Sequence, residues 1–389
     1  MRFRHPDGST VHVAYCTNVH PAEDVDGLRE QLRRYAAPVR SALGVDRLGI
    51  GLWLPAAAAA RLAADPAALT VFRQDLERLG LEVVTLNAFP YAHFHAPVVK
   101  HAVYHPDWTE PDRLAYTLDC ARVLSVLLPD DAARGSISTL PLAWRTPWSA
   151  ERDTAARDHL GRLADGLRAL ADETGRTVRT ALEPEPGCVV ETVADAVTHL
   201  GGIDTDVLGL CLDTCHAATS FEDPGAALAA LEQAALPVVK AQVAAALHVP
   251  DPQDERTRAA LADFVEDRFL HQVREQAGAT LLSRDDLPEA LSGPDPLPGD
   301  QPWRVHFHVP LHAEPDPPLR STRDSLRPTL AGLLGGPHPR TDHLELETYT
   351  WSVLPPGQRP GDDTGLVAGL AAELGWVRDL LTDLSLEVL

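Results

Sequence analysis

Lysine and methionine are almost missing from this 389-residue sequence, which has two lysines, Lys100 and Lys240, and one methionine. Positive charge as a whole is scarce, since 34 basic residues face 56 acidic ones and leave a net charge of −22. A surface of this sign repels phosphate backbones and anionic lipids. We therefore predict no nucleic-acid partner; the small-molecule substrate that we expect rests on the motifs of the chain and not on its charge.

Long apolar runs and disulfide-type cysteine patterns are also missing. No stretch approaches the roughly 20 apolar residues of a membrane span, and the opening "MRFRHPDGST" lacks the apolar core of a signal peptide. The five cysteines show no scaffold spacing and fit free thiols in a reducing compartment. These absences predict a globular, cytoplasmic protein that does not span a membrane.

What the sequence does contain is an alternation of strand-like and helix-like segments. Nine segments have strand character, and several are the near-continuous apolar runs of parallel strands that are covered on both faces. The helical segments between them carry apolar stripes at spacings of three and four. Repeated βα units in this number predict a (β/α)8 barrel, with a doubly wound open sheet as the alternative. No Gly-x-Gly-x-x-Gly follows the first strand, so a dinucleotide fold has no support.

The count of nine strands exceeds the eight of a barrel, so one must be extra or belong to an insertion. The region 244–303 is rich in proline and aspartate and is too long for an ordinary barrel connection. We expect one domain over residues 1–389, with 244–303 inserted over the C-terminal mouth of the barrel. Residues 364–384 are expected to form a closing helix.

Polar side chains gather near the C-terminal ends of five predicted strands. Successive side chains on a strand alternate between its faces, so residues i and i+2 share a face. The positions singled out in this way are Glu183, Glu185, Asp213, Lys240, Gln242, His306, His308, Glu345 and Glu347. In a barrel, these strand ends form the rim on which active sites are built.

Several carboxylates buried at one rim are costly unless a positive charge neutralises them. A divalent cation does this well, and carboxylate, imidazole and amide oxygen ligands suit Mn²⁺, Mg²⁺, Zn²⁺ or Fe²⁺. Pairing of the carboxylates with arginine is the alternative. We predict a divalent metal ion of one of these four kinds.

Six motifs resemble those of the EboE-type metabolite traffic proteins, which are xylose-isomerase-like (sugar phosphate isomerase/epimerase-like) TIM barrels. They are "ALEPEPG", "DTCHAA", "KAQV", "FLHQV", "WRVHFHVPLH" and "LELETYTWSVLP", and the resemblance spans nearly the whole chain. It implies the barrel fold and a metal centre, whereas "metabolite traffic" is a label drawn from operons and defines no reaction. Related sugar epimerases hold their metal with Glu, Asp, His and Glu. Glu183, Asp213 and Glu347 match three of these ligands, and Gln242 or His308 is the fourth.

The resemblance also implies roles for side chains of the site. Glu183 and Glu347 could each act as ligand and base, as in the epimerases. Lys240 is the candidate acid or oxyanion stabiliser, and His216 is expected to bind a substrate hydroxyl or to complete the metal shell. Further substrate contacts are expected from residues at or after strand ends, namely Asn18, His93, Glu185, His306 and Trp351.

Two classes of function follow from this pattern. The first is a metal-dependent isomerase or epimerase of a small polyol or sugar-like metabolite in a biosynthetic operon. The second is a non-catalytic metabolite-binding or traffic protein on the same fold, because a fold alone does not define a function. A metal-dependent phosphodiesterase fits the metal ligands but not the negative charge.

Overall fold

The structure is a computed structural model that describes residues 1–389, and a closed barrel of eight parallel strands lies at its centre. Each strand pairs with the next along the chain, and the last closes the ring by pairing with the first, His343 opposite His12. Numbered among fifteen strands in chain order, the barrel strands are β2 (Thr10–Cys16), β3 (Leu48–Trp53), β4 (Leu81–Asn87), β5 (Gly135–Thr139), β6 (Val178–Leu182), β7 (Leu208–Asp213), β8 (Val238–Val243) and β14 (His343–Leu346). The predicted (β/α)8 barrel is therefore confirmed.

Two short strands extend the barrel sheet at the start of β2. Strand β1 (Arg2–Arg4) pairs antiparallel with β2, and β15 (Glu387–Val388) pairs antiparallel with β1. The beginning and the end of the described chain thus meet at the same edge of the barrel.

Helices connect the barrel strands and pack around them. In chain order they are α1 (Val25–Gln31), α2 (Ala37–Leu43), α3 (Ala56–Ala64), α4 (Pro66–Leu79), α5 (Pro111–Leu127), α6 (Ala150–Thr174), α7 (Val193–His199), α8 (Thr214–Thr219) and α9 (Pro224–Gln233). A π-helical turn over 32–36 joins α1 to α2. Side-chain caps fix several helix starts, as where Thr192 and Asp195 form a capping box at α7.

The chain leaves the barrel between β8 and the helix α12 (Leu326–Leu334), and this segment, 244–325, is called the excursion. It builds a second, antiparallel sheet. The strands of that sheet are β9 (Ala245–Val249), β10 (Val273–Ala277), β11 (Thr280–Arg284), β12 (Trp303–Val309) and β13 (Arg320–Ser321), with α10 (Glu255–Ala262) and α11 (Leu287–Ser292) between them. Of the nine strand candidates in the sequence, the one that does not belong to the barrel is β12. The excursion runs beyond the expected 244–303 because β12 and β13 complete its sheet.

The barrel and the excursion share one continuous core. A single cluster of 100 buried residues includes Leu210 of the barrel together with Leu247 and Phe307 of the excursion. The last helix, α13 (Asp363–Asp383), packs against α2. No helix combines the length and the apolar character needed to cross a bilayer.

The interior of the barrel contains a buried ion pair. Lys240 of β8 contacts Glu345 of β14, and neither side chain is exposed. The ammonium group also donates to the Leu86 carbonyl at 3.2 Å and to the Ser138 hydroxyl at 3.1 Å. Position 51 must be glycine, because a Cβ there would lie 1.3 Å from Oε1 of Glu345.

Candidate metal centre

Three carboxylates from three strands meet at the C-terminal end of the barrel. Glu183 directly follows β6, Asp213 is the last residue of β7, and Glu347 directly follows β14. One oxygen of each lies within 4.8 Å of the other two, and all three residues are buried. The closure of the barrel brings these residues together, although they are far apart in the sequence.

Two of these carboxylates each have an oxygen without a hydrogen-bond partner. Oδ1 of Asp213 accepts the backbone N–H groups of Cys215 at 2.6 Å and His216 at 3.0 Å, so Asp213 is the N-cap of α8. Oδ2 of Asp213 and Oε2 of Glu183 are buried and accept no hydrogen bond. Buried carboxylate oxygens in this state are costly unless a cation meets them.

Glu347 is oriented by two side-chain amides. Its Oε1 accepts a hydrogen bond from Nδ2 of Asn18 at 2.7 Å and another from Nδ2 of Asn87 at 2.9 Å. Asn18 was expected to contact substrate, and the structure places it on this carboxylate. The sequence reasoning missed Asn87, although it is a polar residue at the end of β4, which is the signal that identified the other positions.

Burial shifts the pKa values of the three carboxyl groups upward. Desolvation is the main cause for Glu183 and Glu347, whose pKa values lie well above the usual range, and repulsion from neighbouring carboxylates adds to it. Burial also raises the pKa of Asp213. These shifts favour the protonated form of the three groups as long as no metal ion is bound.

His306 and His308 of β12 face each other above the carboxylates. Nδ1 of His306 lies 2.7 Å from Oε1 of Gln272, and Nδ1 of His308 lies 2.6 Å from the Glu347 carbonyl oxygen. Both oxygens are acceptors, so each Nδ1 carries the proton and each Nε2 presents a lone pair. The two Nε2 atoms are 3.2 Å apart, an arrangement that a proton or a metal ion between them stabilises.

His216 of α8 completes a group of three imidazoles. Its Nδ1 donates to the Pro184 carbonyl oxygen at 2.8 Å, and its Nε2 lies 3.7 Å from Oδ2 of Asp213. Burial lowers the pKa of His216 and of His308 to about 4 and lowers that of His306 well below the usual value. All three rings are therefore neutral at pH 7, which is the state that binds metal ions.

The two candidates for a fourth ligand lie on different elements. Gln242 of β8 stands beside Asp213 in the strand register, is fully buried, and has no hydrogen-bond partner for either amide atom. His308 offers a nitrogen within 4.8 Å of ligand atoms of Asp213 and His216. Both residues thus adjoin Asp213, and His308 forms a group with Asp213 and His216 that is separate from the group of three carboxylates.

A cleft opens above these groups, and its floor is polar. The predicted site residues that line it are Asn18, Glu183, Glu185, His216, His306, His308 and Glu347. Burial raises the pKa of Glu185 to about 8, and its Oε1 accepts a hydrogen bond from the Tyr104 hydroxyl at 2.6 Å. Tyr104 was not predicted, because it lies in the irregular segment after β4, where no periodicity applies.

Three predicted site residues lie away from the cleft. Lys240 is enclosed in the barrel interior against Glu345. The side chain of His93 is 83% exposed in the segment after β4. Trp351 is buried against α13, where a Cβ at position 369 would lie 2.5 Å from its ring.

The fold and the matched sequence define the class of the protein. A family model described as xylose isomerase-like TIM barrel matches residues 40–272, which is more than half of the chain. The chain therefore belongs to the xylose isomerase-like TIM barrel family. No curated protein matches the sequence.

Solved structures share the fold at low sequence identity. A xylose isomerase-like TIM barrel protein from Mycobacterium smegmatis, in complex with magnesium, is 15% identical with a TM-score of 0.53, over 96% of this chain and 97% of that one. An L-ribulose 3-epimerase is 13% identical with a TM-score of 0.52, over 96% of each chain. A D-psicose 3-epimerase from Clostridium cellulolyticum H10, with D-tagatose, is 13% identical with a TM-score of 0.50, over 95% of this chain and 99% of that one.

Proposed function

We propose that this protein is a divalent-metal-dependent isomerase or epimerase of a small polyol or sugar-like metabolite, of the EboE type within its family. The observation that carries the proposal is the meeting of three buried carboxylates, two of them with an oxygen that lacks any partner. Epimerases are among the proteins that share the fold, which is consistent with this activity. The five buried free cysteines support a cytoplasmic location.

Glu183, Asp213 and Glu347 would hold the metal, with Gln242 or His308 as the fourth ligand. The unpartnered oxygens of Glu183 and Asp213, and the unpartnered amide of Gln242, fit this role. A bound Mn²⁺, Zn²⁺, Mg²⁺ or Fe²⁺ ion polarises substrate oxygens and so acidifies the neighbouring C–H bond.

The chain's own groups bind the substrate and move its proton. Glu183 and Glu347 stand on β6 and β14, so a substrate carbon between them has a carboxylate on each side. A carboxylate in such a position can take the proton from the substrate carbon and return it to the opposite face. Asn18 fixes the orientation of Glu347, and His216 faces the cleft, where its Nε2 can accept a hydrogen bond from a substrate hydroxyl.

A metabolite-binding protein without turnover is the second candidate, and the position of Lys240 favours it. This lysine was the expected acid, yet its ammonium group is held by Glu345 beneath the site and does not line the cleft. A phosphodiesterase has less support, because the net charge of −22 opposes the approach of a nucleic acid.

Thermal unfolding of the protein stripped with a chelator tests the metal site. Carboxylates about 4 Å apart repel by about 4 kcal/mol per pair at an effective dielectric constant near 20, so a cation that relieves this repulsion stabilises the folded state. Added Mn²⁺ or Zn²⁺ should raise the melting temperature by several degrees. Asp213→Asn and Glu347→Gln should abolish the rise, and Glu77→Gln, at an exposed carboxylate of α4, should preserve it. An unchanged melting temperature with every divalent ion would contradict the proposal.

Exchange of substrate hydrogen with solvent separates the enzyme from the carrier. The metal-loaded protein is incubated with a panel of ketoses and cyclitols in D₂O, and deuterium at carbon is followed by NMR. An isomerase or epimerase incorporates deuterium, and Glu183→Gln or Glu347→Gln prevents this. Binding of a polyol without any deuterium incorporation would identify the carrier.

A further inference from the structure

The wall of the cleft is apolar and largely aromatic. Phe94 packs against Phe269 of the excursion, with 5.0 Å between ring centroids, and against Tyr349, at 5.3 Å. Phe269 and Tyr349 are 4.9 Å apart, and Val99 and Leu270 extend the same wall. A sugar ring can stack its C–H face on one aromatic ring, but hydroxyl groups at its rim that this wider apolar wall encloses would lose their hydrogen bonds to water without replacement. The wall therefore suits a part of the ligand that has no hydroxyl groups.

Apart from the proposed metal ion, the cleft offers a ligand no free positive charge. No arginine lines it, although the chain has 34 basic residues. Lys100 reaches the cleft, but its ammonium group is already bound to Oδ2 of Asp286 at 2.6 Å and to the carbonyl oxygens of Phe269 at 2.7 Å and Glu266 at 3.2 Å. Because an ammonium group has three N–H donors, none remains for a phosphate or a carboxylate.

We infer that the substrate is uncharged and amphipathic, with a polyol or keto-polyol head over the carboxylates and an apolar or aromatic substituent against the wall of Phe94, Val99 and Phe269. The identity of the head rests on the proposed function, whereas the substituent follows from the wall itself. The inference excludes substrates that carry a phosphate or carboxylate group away from the metal-bound end of the head.

The position of Tyr349 indicates where the substituent is attached. Its ring lies 4.8 Å from that of His308 at the floor and also contacts Phe94 and Phe269 in the wall. The aromatic wall therefore begins beside the histidines of the site, and we expect the substituent near the metal-bound end of the head.

Probes that share one sugar head test the inference. Isothermal titration calorimetry of the Mn²⁺-loaded protein compares methyl, hexyl and phenyl β-D-glucosides, D-glucose and D-glucose 6-phosphate. We expect the phenyl and hexyl glucosides to bind at least tenfold more tightly than the methyl glucoside, with a more negative heat-capacity change because apolar surface is buried. Glucose 6-phosphate should bind no more tightly than glucose.

Two valines offer a matched pair of variants. Val99 lines the cleft, whereas the adjacent Val98 is 60% exposed, and Val→Thr keeps the shape of either side chain. Val99→Thr should weaken binding of the phenyl glucoside about three- to tenfold and leave the methyl glucoside unchanged, whereas Val98→Thr should change neither. Phe94→Leu, which keeps an apolar side chain but removes the ring, should selectively weaken the phenyl probe.

The outcomes separate this inference from the proposed function. Equal binding of phenyl and methyl glucosides, tighter binding of glucose 6-phosphate than of glucose, or no binding of any substituted probe would overturn it. A preference for the phenyl probe without deuterium exchange in any polyol supports the inference and refutes the isomerase proposal. Deuterium exchange confined to unsubstituted sugars, without a preference for the phenyl probe, supports the isomerase proposal and refutes the inference.

Discussion

Lys240 and Glu345 place two opposite charges in the barrel beneath the candidate metal centre, with no exposed surface on either side chain. The desolvation of each charge is offset only while the other is present. The positive charge of Lys240 also acts to lower the pKa of Glu183 and thereby favours its ionised, metal-binding form, whereas at Glu347 the negative charge of Glu345 outweighs this effect. The pair thus links the interior of the barrel to its rim.

Removal of either charge of the Lys240–Glu345 pair should lower the free energy of unfolding more than removal of both charges. Lys240→Met leaves Glu345 as an unpaired buried charge, so we expect a loss of about 3–5 kcal/mol in the free energy of unfolding. The double variant Lys240→Met, Glu345→Leu should recover much of this loss, as measured by urea denaturation. Arg327→Met, which breaks an exposed ion pair with Asp383, should cost about 0–1 kcal/mol. Additive losses in the double variant would show that the pair is not coupled.

His343 gives stability a predictable dependence on pH. Burial lowers its pKa to about 3, and its Nδ1 lies 2.7 Å from the Ser136 hydroxyl. In the unfolded chain the pKa of a histidine is near 6.5. On acidification the unfolded state therefore binds a proton at this residue before the folded state does, and the free energy of unfolding decreases as the pH falls from about 6.5 toward about 3. Between pH 7 and pH 5 this histidine should account for a loss of about 2 kcal/mol.

Urea denaturation at pH 7 and at pH 5 tests this pH dependence. The free energy of unfolding of His343→Gln should fall less between the two pH values than that of the wild type. His105→Gln, at an exposed imidazole, serves as the control and should keep the wild-type difference. A difference in His343→Gln equal to that of the wild type would contradict the assignment.

Residue patterns in the sequence predicted which faces carry the site, but not the depth of each side chain. Alternation along β8 correctly places Lys240 and Gln242 on one face, since both point into the barrel. Alternation cannot show that Gln242 lies at the rim of the barrel whereas Lys240, two residues earlier on the same strand, is enclosed in the interior. His93 and Trp351 follow strands rather than lie in them, so no periodicity fixed their directions.

Among the secondary-structure elements, the segment after β4 and the excursion are fastened to each other across the cleft. The backbone N–H groups of Val99 and Lys100 donate to the Arg268 carbonyl oxygen at 2.7 and 2.8 Å. The Lys100 side chain binds the excursion at three further oxygens. The cleft wall is therefore assembled from two irregular segments that depend on each other.

Loss of the Lys100 ammonium group should loosen both segments without unfolding the barrel. Hydrogen bonds to charged groups contribute about 1.5–3 kcal/mol, so amide exchange in Lys100→Met should be roughly ten- to a hundredfold faster over 97–103 and 264–272. Exchange in β7 should not change. Hydrogen–deuterium exchange with mass spectrometry measures this, with Arg73→Met on the exposed face of α4 as the control. Exchange that stays at the wild-type rate in both segments would show that the contacts of the Lys100 ammonium group contribute little stability.

The sequence identified β12 as a strand but could not assign it to a sheet. The sequence of β12 resembles that of a barrel strand in its pattern of apolar and polar residues. This pattern does not reveal which strands pair with β12. In the structure, β12 pairs antiparallel with β9 and β10 and therefore belongs to the second sheet. For the same reason, the length of the excursion was underestimated.

For the molecule as a whole, we propose that residues 1–389 form one domain, because a single buried cluster extends through the barrel and the excursion. The sequence predicted the barrel because eight βα repeats leave few alternative topologies. It could not predict the contacts of Lys100 with the excursion or the aromatic wall, because both depend on contacts between irregular segments.

The overall charge predicts the behaviour of the protein toward nucleic acid. With a net charge of −22, it should form no complex with duplex DNA at low micromolar concentration and physiological salt. A gel-shift assay across a salt series measures this, with a basic DNA-binding protein as the positive control. A complex that weakens as the salt concentration increases would support the hypothesis of a phosphodiesterase instead.

The closing contact between β14 and β2 also governs the order of events during synthesis. About 100 residues, 244–342, separate β8 from β14, so at 5–20 residues per second the ribosome needs roughly 5–20 s to supply the last strand. In that interval the seven finished strands form an open sheet, in which β1 covers only Thr10–His12 of one edge and nothing from the barrel covers β8. Bare edges of this kind recruit other strands. The nascent chain is therefore most prone to aggregate while the excursion is being made, and slower translation through this segment lengthens the exposure.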